Sequence, residues 1–325
     1  MKIAITGANG FVGANLAGEL IDKGYDVKAL YYNRKNALEK LKLQTVKGNI
    51  LDKKLMEDFL KDVDVVFHAA AKISIGKTSF DELYKTNVKG TQTVFKAAKL
   101  NGVKTFVHFS SIHALKLPEV QKPCSETCKL ALDSTFLYDR TKAMAQQWLM
   151  KQKVKGMKTV ILNPTAILGP NDFHPSLIGR FIVDVMNKKL PALLKGGYDW
   201  VDIRDVTHAA VSAMEKGKNG EFYILSGQWE SLINITKIME NLSGEKYNIA
   251  VYPLWLAQAG LPFLWLWSKL SGKTPLYTSK SLKIINQNSR QISAEKAKKE
   301  LGFSSRPLEN TIKDTMEWFK QNNYA

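Results

Sequence analysis

The sequence predicts an α/β protein built on a doubly wound parallel sheet, with a smaller, mostly helical lobe in its second half. Strand-like and helix-like segments alternate through the first half, which favours parallel strands joined by right-handed crossovers. Strands such as Val63–Phe67 are nearly continuous in apolar residues, as expected where helices cover both faces of a sheet. Three glycines also lie between the first strand and the first helix.

Short apolar runs and longer amphipathic runs define the elements of the first half. The predicted strands are Lys2–Thr6, Asp26–Tyr32, Leu43–Val46, Asp64–His68, Lys104–Phe109 and Lys158–Leu162. The predicted helices are Phe11–Lys23, which Gly24 ends, Lys53–Leu60, Phe80–Leu100 and Ser134–Lys153.

The second half is less regular. Helices are predicted near Pro175–Asn187, Asp205–Lys216, Ser231–Asn241, Ser293–Leu301 and Pro307–Gln321. Glu221–Leu225 predicts one more strand of the sheet. We therefore expect a nucleotide-binding domain from residues 1–165 and about 198–227, and a substrate-binding lobe from about 166–197 and 228–325.

Composition narrows the class of protein. The 325 residues carry a net charge of +17, from 41 lysines and six arginines against 30 acidic residues. The lysines are scattered and form no cluster with aromatic residues, which argues against nucleic-acid binding. Cys124 and Cys128 alone cannot build a thiolate zinc site, so we expect free thiols and no metal. The N-terminus lacks the pattern of a signal peptide, which predicts a cytoplasmic protein.

One segment, Ile249–Leu270, is nearly all apolar and contains three tryptophans. It approaches the roughly 20 residues of a membrane-spanning helix, but Pro253 and Pro262 interrupt it. Two short helices that cover a substrate pocket are the preferred interpretation. A subunit surface or a peripheral membrane contact through residues 250–270 is the alternative, and no transmembrane span is expected.

The glycines at positions 7, 10 and 13 predict a dinucleotide site. The motif follows the apolar strand and begins the first helix, where a Cβ would keep the backbone away from a pyrophosphate. The helix start offers unpaired N–H groups and the positive end of its dipole to the phosphates.

Tyr138 and Lys142 form a second signal. Four residues apart on a helix, they lie on one face. An ammonium and an oxidised nicotinamide nearby would both lower the phenol pKa. Ser110 and Ser111 follow the strand Lys104–Phe109, where a hydroxyl can polarise a substrate carbonyl. A helix-capping or turn serine is the alternative interpretation.

Together these residues resemble the extended branch of the short-chain dehydrogenase/reductase superfamily, on the side of the dihydroflavonol reductases and 3β-hydroxysteroid dehydrogenases. Further matching segments are Val66–Ala71, Asn87–Thr91, Asn163–Pro170, Val201–Val206 and Lys296–Phe303. The resemblance covers nearly the whole chain and implies a Rossmann fold. It also implies a homodimer formed through the helices Phe80–Leu100 and Ser134–Lys153.

The resemblance assigns roles by position. Tyr138 matches the general acid/base, Ser111 the catalytic hydroxyl and Lys142 the residue that binds the nicotinamide ribose. The matching cofactor positions are Thr6, Gly7, Asn9, Gly10, Phe11, Val12, Gly13, Asn49, Ile50, His68, Ala69, Ala70, Ser110, Pro164 and Ala166. Asn49 replaces the aspartate that often contacts adenine in this family.

Cofactor preference depends on the end of the second strand. An acidic residue there would bind the ribose 2′-hydroxyl of NAD, but the chain has Tyr32, Arg34 and Lys35. The two cations can hold a 2′-phosphate, so we expect NADP as the preferred cofactor and NAD as a possible one. Solvated loop charges are the alternative.

Four further residues are substrate candidates by position: His113, Asn163, Phe173 and His174. His108 is expected in the core, and Asp202 with Arg204 in an internal ion pair. The sequence thus predicts an oxidoreductase that interconverts a ketone and a secondary alcohol on a fairly apolar small molecule. The alternatives are a nucleotide-sugar epimerase or dehydratase with retained NAD, and a non-catalytic NAD(P)-sensing protein.

Overall fold

A parallel sheet forms the centre of the fold in the computed structural model, which describes residues 1–73, 78–119, 122–190, 192–252 and 290–325. The strands are β1 (Lys2–Thr6), β2 (Asp26–Tyr31), β3 (Gln44–Lys47), β4 (Val65–His68), β5 (Thr105–Phe109), β6 (Lys158–Pro164), β7 (Ala166–Leu168), β8 (Ala192–Leu194), β9 (Gly197–Asp202), β10 (Phe222–Leu225), β11 (Gln228–Ser231) and β12 (Ala250–Tyr252). The α-helices are α1 (Phe11–Asp22), α2 (Lys53–Phe59), α3 (Phe80–Tyr84), α4 (Thr91–Leu100), α5 (Leu137–Met150), α6 (Leu177–Met186), α7 (Ile203–Lys216), α8 (Leu232–Ser243), α9 (Glu295–Leu301) and α10 (Leu308–Gln321).

The strand order places the site. Within the described residues the main sheet has seven strands in the order β10-β6-β5-β4-β1-β2-β3, and neighbouring strands run parallel. The chain moves outward from β1 in one direction through β2 and β3, and in the other through β4. In such sheets ligands bind at the carboxyl ends of the strands around this reversal. The predicted doubly wound sheet is confirmed.

Two apolar cores cover the two faces of the sheet. One contains Ile3, Phe67 and Val107 together with residues of α1 and α7. The other contains Val66 and Phe106 together with residues of α2, α4 and α5. Burial on both faces explains why the strand sequences are continuous in apolar residues.

The predicted helix Phe80–Leu100 is interrupted. A π-helical turn, Lys85–Gly90, separates α3 from α4. Inside it, the Asn87 side chain donates to Thr141 Oγ1 at 3.2 Å and to the Lys72 carbonyl at 3.0 Å. These contacts to distant parts of the chain accompany the irregular turn, and periodicity along one segment cannot reveal them.

A third core belongs to the second half of the chain, where Trp200, Ile235 and Phe319 are buried together. The assignment of all of 228–325 to this lobe needs a correction. Ala297, Leu301 and Phe303 are buried in the core that also holds β1 and β4. Residues 294–303 therefore return to the nucleotide-binding half, because α9 packs against α7 and β10.

No helix among the described residues has the length and apolar character needed to cross a bilayer. Residues 253–289 lie outside the described part of the chain, so the prediction for the tryptophan-containing segment is not tested.

Candidate active site

The glycine-containing turn between β1 and α1 has the geometry of a phosphate cradle. Gly7 has φ +72°, and a Cβ there would lie 2.6 Å from the Ala70 Cα. A Cβ on Gly13 would overlap the Gly7 carbonyl oxygen, so the start of α1 packs directly on the turn. Both positions therefore require glycine, one for its backbone angle and close approach, the other for close packing.

The start of α1 is free to bind an anion. Gly10 precedes the helix, and no side chain caps the first N–H groups. Gly10 is exposed, so these donors are accessible from the carboxyl edge of the sheet. A backbone cradle beside an uncapped helix start fits a dinucleotide pyrophosphate.

Other predicted cofactor residues lie around the same edge. The partly exposed ones include Phe11, Val12, Ala69, Ala70 and Ala166. Asn9 is committed to the fold, since its Oδ1 accepts from Ala37 N at 3.0 Å. The Asn49 amide oxygen accepts from Leu51 N, while Ile50 and Pro164 are buried.

The three predicted catalytic residues come from two neighbouring elements. Ser111 follows β5 and begins a short 3₁₀ turn, where its Oγ accepts from His113 N at 3.2 Å. Tyr138 lies in the first turn of α5, and Ser111 is close enough to its hydroxyl to lower its pKa as a hydrogen-bond partner. Lys142 follows one turn later, and its Nζ donates to the Phe109 carbonyl at 2.7 Å. Ser111 thus fulfils both interpretations, as a capping residue and as the partner of Tyr138.

The pKa values of Tyr138 and Lys142 differ from the expectation that the lysine lowers the pKa of the tyrosine. Burial raises the pKa of Tyr138 to about 12, against the opposing effect of its hydrogen bond with Ser111. Burial lowers the pKa of Lys142 to about 7. The prediction that the lysine ammonium lowers the pKa of the tyrosine is therefore wrong for the protein without cofactor, because desolvation dominates both groups.

A buried amide network lies behind these residues. The Asn163 Nδ2 donates to the Ser111 carbonyl at 2.7 Å and to Gln146 Oε1 at 2.8 Å. The Ser110 hydroxyl donates to the same Gln146 oxygen at 2.6 Å. The side chains of Ser110, Gln146 and Asn163 are buried. The prediction that Asn163 contacts substrate is therefore not supported, and the Ser110 hydroxyl bonds to Gln146 inside the protein. Both residues instead fix the backbone that carries Ser111.

Gln146 is the residue that sequence reasoning missed. It lies one further turn along the face of α5 that carries Tyr138 and Lys142. The four-residue spacing of positions 138, 142 and 146 was the available signal.

Polar side chains lie at or near the carboxyl ends of three adjacent strands, β1, β4 and β5, on the face of the sheet that α4 and α5 cover. The register pairs Thr6 with His68 and His68 with His108. His68 lies 2.6 Å from Thr6 Oγ1 through Nδ1 and 3.0 Å from Thr91 Oγ1 through Nε2. Its ring stacks on His108 at 5.3 Å between centroids. The predicted cofactor contacts at Thr6 and His68 therefore do not involve their fully buried side chains.

Both histidines are neutral. Burial lowers the pKa of His68 to about 3, and the charge of Lys142 adds to this. Burial and the same lysine hold the pKa of His108 well below its usual value. Neither ring nitrogen of His108 has a hydrogen-bond partner among the described residues. The prediction that His108 lies in the core is confirmed.

A cavity of about 300 Å³ is lined by His113 and Asp139, which are close in sequence to Ser111 and Tyr138. His113 lines it and lies 3.5 Å from Asp139 through Nδ1, and its ring meets that of Tyr138 edge-on. Leu115, Leu117 and Phe136 provide apolar walls. The structure thus keeps His113 as a substrate candidate.

The other two substrate candidates lie elsewhere. The Phe173 ring packs edge-on against Trp318 of α10. His174 Nε2 donates to Asn36 Oδ1 at 2.7 Å, in the loop after β2. Since β1 and β4 separate β2 from β5, this loop is roughly 14 Å across the sheet from the strand that carries Ser111. The prediction that His174 lines the substrate site is therefore not supported.

The remaining predictions concern side chains outside the site. Arg204 NH2 pairs with Asp202 Oδ2 at 2.7 Å, which confirms the internal ion pair. Cys124 and Cys128 are free thiols. No group of His, Cys, Asp and Glu suited to a metal occurs among the described residues.

Comparison with known proteins agrees with this geometry. The family model described as NAD dependent epimerase/dehydratase family matches residues 3–226. "Sterol demethylase protein B" of Methylococcus capsulatus is 30% identical, over 99% of either chain. "Putative dihydroflavonol 4-reductase" of Synechocystis sp. is 29% identical, over 99% of this chain and 95% of its own length. A crystal structure of UDP-glucose 4-epimerase from Thermotoga maritima superposes with a TM-score of 0.80 at 21% identity, over 99% of this chain and all of that one; it supports the fold.

Proposed function

Because this chain belongs to the NAD-dependent epimerase/dehydratase family, and is therefore an enzyme of the extended short-chain dehydrogenase/reductase superfamily, we propose that it is an NADP-preferring oxidoreductase. It would interconvert a ketone and a secondary alcohol on a fairly apolar, ring-containing substrate. The observation that carries this proposal is the proximity of Ser111 to the Tyr138 hydroxyl, with Lys142 one helical turn further along α5.

The glycine cradle supports a bound dinucleotide. Gly7, Gly13 and the uncapped start of α1 leave room and donors for the pyrophosphate. Lys142 would donate to the nicotinamide ribose, since its ammonium has one protein acceptor, the Phe109 carbonyl, within the described residues. A bound nicotinamide supplies or removes the hydride at the carbonyl carbon.

Tyr138 supplies the proton in the reducing direction. With its pKa raised to about 12, it is a neutral phenol at pH 7 and can donate to a carbonyl oxygen. The Ser111 hydroxyl steadies the same oxygen, and the Asn163 and Gln146 network holds Ser111 in place. Oxidation of the alcohol needs the phenolate instead.

Two observations support an apolar substrate. Leu115, Leu117 and Phe136 are apolar residues of the cavity that His113 and Asp139 also line. The two relatives named above carry printed names that refer to a sterol and a dihydroflavonol, both polycyclic. The rest of the lining is largely polar, which suits a substrate that also carries hydrogen-bonding substituents: His113, Lys116, Asp133, Ser134, Thr135 and Asp139.

The test is turnover of a panel of cyclic ketones with NADPH and with NADH. We expect NADPH-dependent reduction by the natural protein and a loss of at least roughly 1,000-fold in Tyr138→Phe, with NADPH affinity unchanged. Tyr84→Phe is the matched control, because the Tyr84 ring packs on Phe80 outside the site. Absence of ketone turnover, together with NAD that survives purification and epimerisation of a UDP-sugar, would establish the epimerase alternative.

A further inference from the structure

The segment after Gly169 and Pro170 links the loop after β2 to the rest of the molecule. His174 donates to Asn36 Oδ1 at 2.7 Å. Asn171 Nδ2 donates to Asn15 Oδ1 on α1 at 3.1 Å. The segment thus lies against the side of the nucleotide-binding half that begins with the glycine turn.

The loop after β2 is held from two sides. On one side, Asn9 of the glycine turn accepts from Ala37 N at 3.0 Å. On the other, His174 holds Asn36. Arg34 and Lys35 lie immediately before these anchored residues, and both are exposed. Neither makes an ion pair with any residue that the structure describes.

His174 is close to one of these cations. Burial lowers the pKa of His174, and the positive charge of Arg34 lowers it further, so the two side chains are within electrostatic reach. Arg34 and Lys35 thus lie on an anchored loop and have no acidic partner among the described residues. An anion of high charge is the ligand that such an arrangement favours.

The end of β2 is the place where this fold distinguishes ribose 2′-substituents. A 2′-phosphate there would meet Arg34 and Lys35, whereas a 2′-hydroxyl offers these groups little. His174 reaches this position from a distant part of the chain, which explains why its place in sequence pointed to the substrate instead.

We propose that His174 is a specificity-determining residue of the cofactor site, because its bond to Asn36 fixes the loop that presents Arg34 and Lys35 to the 2′-phosphate of NADP. This inference rests on the proposed preference for NADP. It extends the 2′-phosphate site beyond the loop to the segment that also contacts α10 through Phe173 and Trp318.

The experiment measures dissociation constants of NADPH and NADH for the natural protein, His174→Ala, His174→Gln and His208→Ala. His208 is the matched control, an exposed histidine of α7 paired with Glu19. Adenosine 2′,5′-bisphosphate and 5′-AMP serve as probes that differ in the 2′-phosphate alone. Thermal unfolding of each variant shows whether the fold is retained.

We expect His174→Ala to weaken NADPH and the bisphosphate roughly five- to twentyfold, and NADH and 5′-AMP less than twofold. His174→Gln keeps a donor for Asn36 and should recover part of the loss. Equal weakening of both cofactors, or an unchanged preference in His174→Ala, would overturn the assignment while the NADP preference of the natural protein stands. A natural protein that binds NADH as tightly as NADPH would overturn the preference itself, and the assignment with it.

Discussion

Replacement of Gly13 by alanine should abolish tight cofactor binding. A Cβ at this position would lie 2.7 Å from the Ala8 Cα and 2.9 Å from the Gly7 carbonyl carbon. Carbon atoms in contact prefer about 3.5–4.0 Å, so the start of α1 must move by about 1 Å relative to the turn. Those are the two elements that would hold the pyrophosphate.

The magnitude follows from the hydrogen bonds that such a shift breaks. A hydrogen bond from a backbone N–H to a charged group contributes about 1.5–3 kcal/mol. Loss of one of them would weaken cofactor binding roughly 10- to 100-fold. The substitution should also destabilise the protein, because the overlap is with backbone atoms that no rotamer change can relieve.

Gly18→Ala is the control on the same helix. Among the described residues, apart from the chain neighbours and the backbone of α1 itself, no heavy atom lies within 4 Å of a Cβ at position 18. Alanine in a helix interior is favoured over glycine by about 0.5–1 kcal/mol. Calorimetric titration with NADPH and urea unfolding should show an intact site and equal or greater stability in Gly18→Ala. Natural affinity in Gly13→Ala would refute the close-packing argument.

Two further predictions concern the residues behind the site. Ser111→Ala should lower kcat roughly 100-fold with little change in NADPH affinity, because one donor to the carbonyl oxygen is lost; an equal loss in cofactor affinity would contradict this role. The substitution His108→Phe should reduce the amount by which the free energy of unfolding falls at acid pH. The pKa of His108 is depressed in the folded state, so its contribution to stability is present above the unfolded pKa of about 6.5 and is lost as the pH falls below it. Burial also lowers the pKa of His68, which adds its own loss of stability over the same pH range. Urea unfolding at pH 7 and pH 5 should therefore show a smaller loss of stability in His108→Phe than in the natural protein.

Local sequence patterns were sufficient to predict the sheet and the central residues of the candidate site. The glycine turn, the strand before it and the helix after it are adjacent in sequence, and so are Tyr138 and Lys142 on one helix face. Ser111 lies two residues after the end of a buried strand. Each of these features depends on short-range geometry, which spacing records directly.

Other features depend on contacts between distant segments. The π-helical turn accompanies bonds from Asn87 to Lys72 and Thr141. The position of His174 depends on a bond to Asn36, 138 residues earlier. The pKa of Lys142 depends on complete burial under several elements. No spacing within one segment contains this information, so these parts of the site could not be predicted.

Residues 294–303 lie far along the chain but pack in the core of the nucleotide-binding half. This has a consequence for folding during synthesis on the ribosome. The core around β1 and β4 is completed by Leu301 and Phe303, and the edge of β6 is covered by β10. A nascent chain that has reached residue 165 therefore has an unpaired strand edge and an open apolar face, both of which promote aggregation. The nucleotide-binding half can close only when nearly the whole chain has left the exit tunnel.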